Sequence, residues 1–90
     1  MFNKKEMSSL LLLAEQYDIL ICNAHDIRLR SKTTNHEWII ISPYDNSSNV
    51  ILHRHSRRNS FHHQRGLHDS LTSALEYIHM HDEWFFKNRM

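Results

Sequence analysis

A chain of 90 residues with 40% hydrophobic content, one glycine, one proline and one cysteine is long enough for one core and too short for two. The same counts exclude a disulfide-stapled scaffold, a glycine-rich phosphate cradle and a disordered linker, so a single compact domain over residues 1–90 is expected. The longest apolar run, Leu10 to Ala14, falls far short of the roughly 20 residues that cross a bilayer, and no basic-then-apolar leader opens the chain; both point to a soluble cytoplasmic protein.

Net charge is only +1, but it is unevenly spread. Residues 27–66 hold seven basic groups against two acidic ones, and the remainder holds four against eight. A basic middle lies between acidic ends.

In chain order, Met7, Leu10, Leu11, Ala14 and Tyr17 form a helical stripe that predicts a first helix over 3–17. Leu12 and Leu13 broaden it, which fits a wide core face or a homodimer contact. Short β-branched runs follow, "ILIC", "IRLRS" and "EWIIIS", separated by polar turn clusters, and read as a meander of strands. The unbroken Trp38-Ile39-Ile40-Ile41 predicts a central strand buried on both faces, ended at Pro43, which has no N–H for a ladder. Val50 to His55 is the next strand, and Ser56 to Gly66 is too polar and irregular to be expected in the sheet. Ser70 offers an N-cap, and Leu71, Ala74, Leu75 and Ile78 mark a second helix whose Trp84, Phe85 and Phe86 should fold back onto the core.

The predicted fold is therefore α+β. A three- or four-stranded antiparallel meander is covered on one face by an N-terminal and a C-terminal helix, with a core of Leu10, Leu11, Ala14, Ile27, Leu29, Trp38, Ile40, Leu71, Leu75 and Ile78. Strand alternation puts Ile27, Leu29 and Ser31 inwards and Arg28, Arg30 and Lys32 on the open face. In "VILHRHS" the outward set is ambiguous: Val50, Leu52 and Arg54 alternate with Ile51, His53 and His55.

The segment "VILHRHSRRNSFHHQRGLHD" holds five histidines and four arginines. His53 and His55, at i and i+2 on a strand, are candidate metal ligands with His62, His63 or His68 as a third. Against them stand the neighbouring arginines, which would repel a divalent cation, and the lack of any carboxylate between Asp45 and Asp69. Arg28, Arg30, Lys32, Arg54, Arg57, Arg58 and Arg65 supply phosphate-pairing groups, with Phe61 as a base-stacking candidate.

No catalytic constellation accompanies them, and no cofactor is expected. His25-Asp26 and His81-Asp82 each spell the dipeptide of HD phosphohydrolases without the further ligands or the all-helical scaffold. Asn59 and His68 echo the end of an HNH motif without its leading Asp-His. The order helix, strands, helix resembles that of double-stranded-RNA-binding domains, but Ser70, Thr72 and Ser73 stand where that family opens its second helix with lysines. Cys22, beside Leu20 and Ile21, reads as a small hydrophobe. The expected function is a non-enzymatic module that binds nucleic acid or another polyanion. The alternatives are a protein-docking inhibitor or adaptor, as in small phage defence inhibitors, and histidine-based transition-metal binding.

Overall fold

The computed structural model describes residues 1–8, 10, 15–44, 48–56, 58–64, 68 and 70–88. Helix α1 (Lys4–Ser8) leads into a five-stranded sheet and a long C-terminal helix, α2 (Leu71–Asn88). The strands are β1 (Tyr17–Cys22), β2 (Asp26–Ser31), β3 (Glu37–Ile41), β4 (Val50–Arg54) and β5 (His62–His63), paired antiparallel in sequence order. The meander and the α+β order match the sequence expectation.

Alternation and register together define two faces. Ile27 pairs with Ile40 and Leu29 with Trp38 across β2–β3, while Ile40 pairs with Ile51 and Trp38 with His53 across β3–β4. These residues all lie on the covered face, where Leu71, Ala74, Leu75 and Ile78 of α2 meet them, with Phe2, Leu10 and Tyr17 completing the core. Each fully buried aliphatic chain contributes about 1.5–3 kcal/mol relative to exposure. Every described member of the expected core is buried; Leu11 and Ala14 lie outside the described residues. The open face carries Arg28, Ile39 and Leu52 in one row and Arg30, Glu37 and Arg54 in the next. Ile39 is buried even there, at 6% exposure, as the apolar run of β3 implied.

Three expectations are corrected. The first helix does not run to Tyr17: α1 ends at Ser8, and Tyr17 opens β1, paired with Ser31. Tyr17 fits the helical stripe and a strand end equally well, and cross-strand pairing decides between them. The segment after β4 does join the sheet, because His62 and His63 pair with His53 and Leu52 as the edge strand β5. Trp84 and Phe86 do not fold back, being 61% and 46% exposed, because they lie on the outer side of α2; only Phe85 turns towards the sheet.

Caps and turns close the frame as the side-chain chemistry directs. Ser70 Oγ accepts the Ser73 N–H at 3.1 Å, the expected N-cap of α2. The β2–β3 turn needs a left-handed residue, and Asn35 supplies it at φ 63°. Ser42 follows β3 directly and precedes Pro43, where the strand was expected to stop.

Candidate functional site

Among the described strand residues, His53 and His62 lie on the covered face of the sheet and Arg28, Arg30 and Arg54 on the open one. Trp38 pairs with His53, and the neighbouring position pairs Glu37 with Arg54, so one residue of strand advance moves from the covered face to the open one.

On the open face the cations are matched by acids. Arg28 reaches Asp26 at 3.2 Å and Lys32 reaches Asp18 at 3.9 Å. Arg30 donates to Glu37 Oε1 at 3.4 Å, and Arg54 donates from Nε to Glu37 Oε2 at 2.7 Å. Burial of Glu37 would raise its pKa, but Arg54 and then Arg30 outweigh that and hold it below the ordinary carboxylate value. Arg28 and Arg30 on β2 and Lys32 just past its end therefore form part of a charge ladder and not a free basic stripe. Arg54 also lies over the Phe61 ring, 4.3 Å from its centroid, so Phe61 has a protein partner for its face. Arg58 is exposed in the turn that follows β4; Arg57 and Arg65 lie outside the described residues.

On the covered face five imidazoles gather at the end of the sheet beside α2. His53 Nε2 and His36 Nδ1 are 2.9 Å apart and share a hydrogen bond. The His53 ring stacks on Trp38 at 3.9 Å between centroids and 17° between planes. His36 stacks on His55 at 4.4 Å and 10°, with Phe85 against both. His81 and His62 approach His53 edge-on at 5.0 and 5.6 Å. Burial depresses the pKa of His53 to about 3, and the neighbouring His36, His81, His55 and His62 add to the shift. His81 is lowered by burial and by His55, against an opposing pull from Asp82. At neutral pH both rings are neutral, and a neutral imidazole carries one lone pair that can accept from a donor or bind a cation.

Among the five sequence candidates for metal, His53 and His55 are brought together, and His62 lies at the edge of the same group. His68 is directed elsewhere, towards Ser73 Oγ at 3.1 Å and the Tyr77 ring. The side chain of His63 lies outside the described residues. His36 was missed, although it stands two positions before Trp38 and so on the same face; that spacing was the available signal. His81 was passed over because its partner histidine on the helix, His79, faces away from it.

A scan of protein families finds no model that matches the chain, and no curated protein or solved structure matches it either. Among the described residues, no helix is long and apolar enough to cross a membrane.

Proposed function

We propose that the protein is a small non-enzymatic binding module whose β4–β5 hairpin engages nucleic acid through its phosphates. The observation that carries this reading is the charge of one segment: from Asn46 to His68 there are four arginines and five histidines and no carboxylate. Elsewhere the cations of the open face are balanced one to one by Asp26 and Asp18, whereas Arg54 must share Glu37 with Arg30. The surplus therefore belongs to the hairpin. Its turn is shaped by the Asn59 N–H donating to the Ser56 carbonyl at 3.0 Å and by Ser56 Oγ donating to Asn59 Oδ1 at 2.7 Å, and it presents exposed Arg58, Asn59 and Ser60. Phosphate pairing with neutral hydrogen-bonding groups at hand suits a nucleic-acid backbone.

Binding of labelled single-stranded and duplex oligonucleotides, followed by anisotropy over a range of salt, tests the reading. Affinity should fall linearly on a log–log plot, and Arg58→Ala and Arg54→Ala should each reduce the slope by about one, whereas Arg28→Ala should leave it nearly unchanged. Failure to bind either form at low salt removes the proposal.

A second reading, docking onto a protein as an inhibitor or adaptor, is favoured by the exposed Met80, Trp84 and Phe86 of α2, at 70%, 61% and 46% exposure. Recovery of one stoichiometric protein partner that survives nuclease and is lost in Trp84→Ala would select it.

A further inference from the structure

The imidazole cluster has a donor arrangement that packing alone does not require. His36, His53 and His55 each offer a ring nitrogen, and these three atoms lie within 4.8 Å of one another, with two of the rings buried. Nitrogens bound to one tetrahedral ion with bonds of about 2.0–2.1 Å stand roughly 3.3 Å apart. The His36–His53 pair, at 2.9 Å, needs to open by only a few tenths of an ångström.

We propose that His36, His53 and His55 form a site for a borderline transition-metal dication of the zinc, nickel or copper class. An all-imidazole donor set selects such ions over calcium or magnesium, which take oxygen ligands. Among the described residues no carboxylate or thiol joins the group. Two ligands are fixed: His53 by β4 and its stack on Trp38, His36 by its place two residues before Trp38. His55 is exposed past the end of β4 and can turn its ring to close the set on the solvent side, leaving a fourth position for water or for His62.

The surroundings supply what such a site needs. Gln64 Nε2 lies 3.4 Å from His53 Nδ1, and Tyr77 donates its hydroxyl to Gln64 Oε1 at 3.1 Å, so Nδ1 is engaged from outside the cluster and Nε2, which shares its hydrogen bond with His36 Nδ1, is the nitrogen an ion would take in place of that bond. With the ion on Nε2 the ring proton sits on Nδ1, and the Gln64 amide turned over presents its oxygen to it. The Tyr77 hydroxyl, both donor and acceptor, accommodates that rotation. Phe85 and Trp38 wall the cluster with apolar surface. The expected obstacle, repulsion by the neighbouring arginines, is reduced for the one within the strand: Arg54 lies on the opposite face and is held by Glu37. The hairpin that carries the surplus charge would thus be pinned at its base by the ion, with no demand on its outer side chains.

The test uses the full chain without an affinity tag, stripped with a chelator and titrated with zinc against a chromophoric competitor, then with copper(II). The expected result is saturable binding of one equivalent, weakened at least roughly 100-fold in His36→Gln and His55→Gln and about 10-fold or more in Gln64→Leu. His25→Gln and His68→Gln, which lie outside the cluster, should bind like the parent. In a Trp84→Phe background the remaining Trp38 emission should be quenched by copper(II) with the same one-equivalent end point. His55 is exposed, so its variant carries the test if the buried ones do not fold. Absence of saturable binding, or one-equivalent binding that persists in His55→Gln and His36→Gln, overturns the proposal.

Discussion

Asp82, near the middle of α2, accepts a hydrogen bond at 2.7 Å from the hydroxyl of Ser31, 51 positions earlier at the end of β2. The same carboxylate accepts from Thr33 Oγ1 at 3.0 Å and from Thr34 Oγ1, so one buried anion ties the helix to the whole β2–β3 turn. Ser31 Oγ in turn accepts the Thr34 N–H at 3.2 Å, which carries the tie into the backbone. Three hydroxyl donors converging on a charge 5% exposed replace the water that burial removes.

Asp82→Ala is therefore expected to destabilise the fold by about 3 kcal/mol, because it removes the shared acceptor of the buried Ser31 and Thr34 hydroxyls and of the more exposed Thr33 hydroxyl; Asp82→Asn should cost less, since its amide oxygen still accepts. Urea unfolding of the three proteins checks this. Equal stability of parent and Asp82→Ala would show that the turn is held by its own backbone.

The open face gives a prediction with two opposite signs. Glu37 is the shared acceptor of Arg30 and Arg54, and the Glu37→Gln variant keeps shape while removing the charge between two guanidiniums. Stability should fall by about 1–3 kcal/mol. Nucleic-acid affinity should rise, with a steeper dependence on salt, because a phosphate then meets two arginines without a competing carboxylate. A variant that loses stability without gaining affinity would detach the hairpin charge from the proposed function.

Acid should weaken the metal-free protein through His53. Its folded pKa is pushed down to about 3 by burial and by four neighbouring imidazoles. The unfolded chain takes up that proton near pH 6.5, the ordinary histidine value. The folded state does not, so stability is complete above about pH 6.5 and declines from there towards pH 3, at up to about 1.4 kcal/mol per pH unit for this one group. His81, also lowered, acts in the same direction. Unfolding free energies of chelator-treated protein between about pH 7.5 and 5 measure the decline, and His53→Gln should make it shallower. An unchanged slope in that variant would place the acid sensitivity elsewhere.

What could be read in the sequence was what alternates locally. Ile27, Leu29 and Ser31 against Arg28 and Arg30 gave the faces of β2, and Ser70 gave the start of α2. What depends on register was not legible. The ambiguity in "VILHRHS" resolves only because Trp38 faces His53, which turns the histidines inwards and Arg54 outwards. Within that strand the histidines and Arg54 thus part onto opposite faces of the sheet. His36, 17 positions from His53, enters the cluster by the same pairing. Asp82 reads as an ordinary helix-surface acid until α2 is laid over the β2–β3 turn.

Glu6 supports the last prediction, because one carboxylate serves two helices. Asn3 Oδ1 accepts the Glu6 N–H at 2.7 Å and Glu6 Oε1 accepts the Asn3 N–H at 3.3 Å, a reciprocal capping box on α1. The other oxygen, Oε2, accepts the Leu71 N–H at 2.6 Å, an orphan donor in the first turn of α2. A helix of five residues has little stability of its own, so its place depends on that bond and on Phe2, Met7 and Leu10 against the core. Glu6→Ala removes the carboxylate acceptor of both the Asn3 and the Leu71 N–H and should cost about 1–2 kcal/mol, more than Ser70→Ala, which removes one bond. Glu6→Gln retains acceptors and should recover much of the loss, while the negative charge at the N-terminus of α2 is gone. Hydrogen exchange at the Leu71 amide reads the contact directly: protection in the parent, loss in Glu6→Ala and partial protection in Glu6→Gln are expected. Equal exchange in all three would show that α1 does not hold α2.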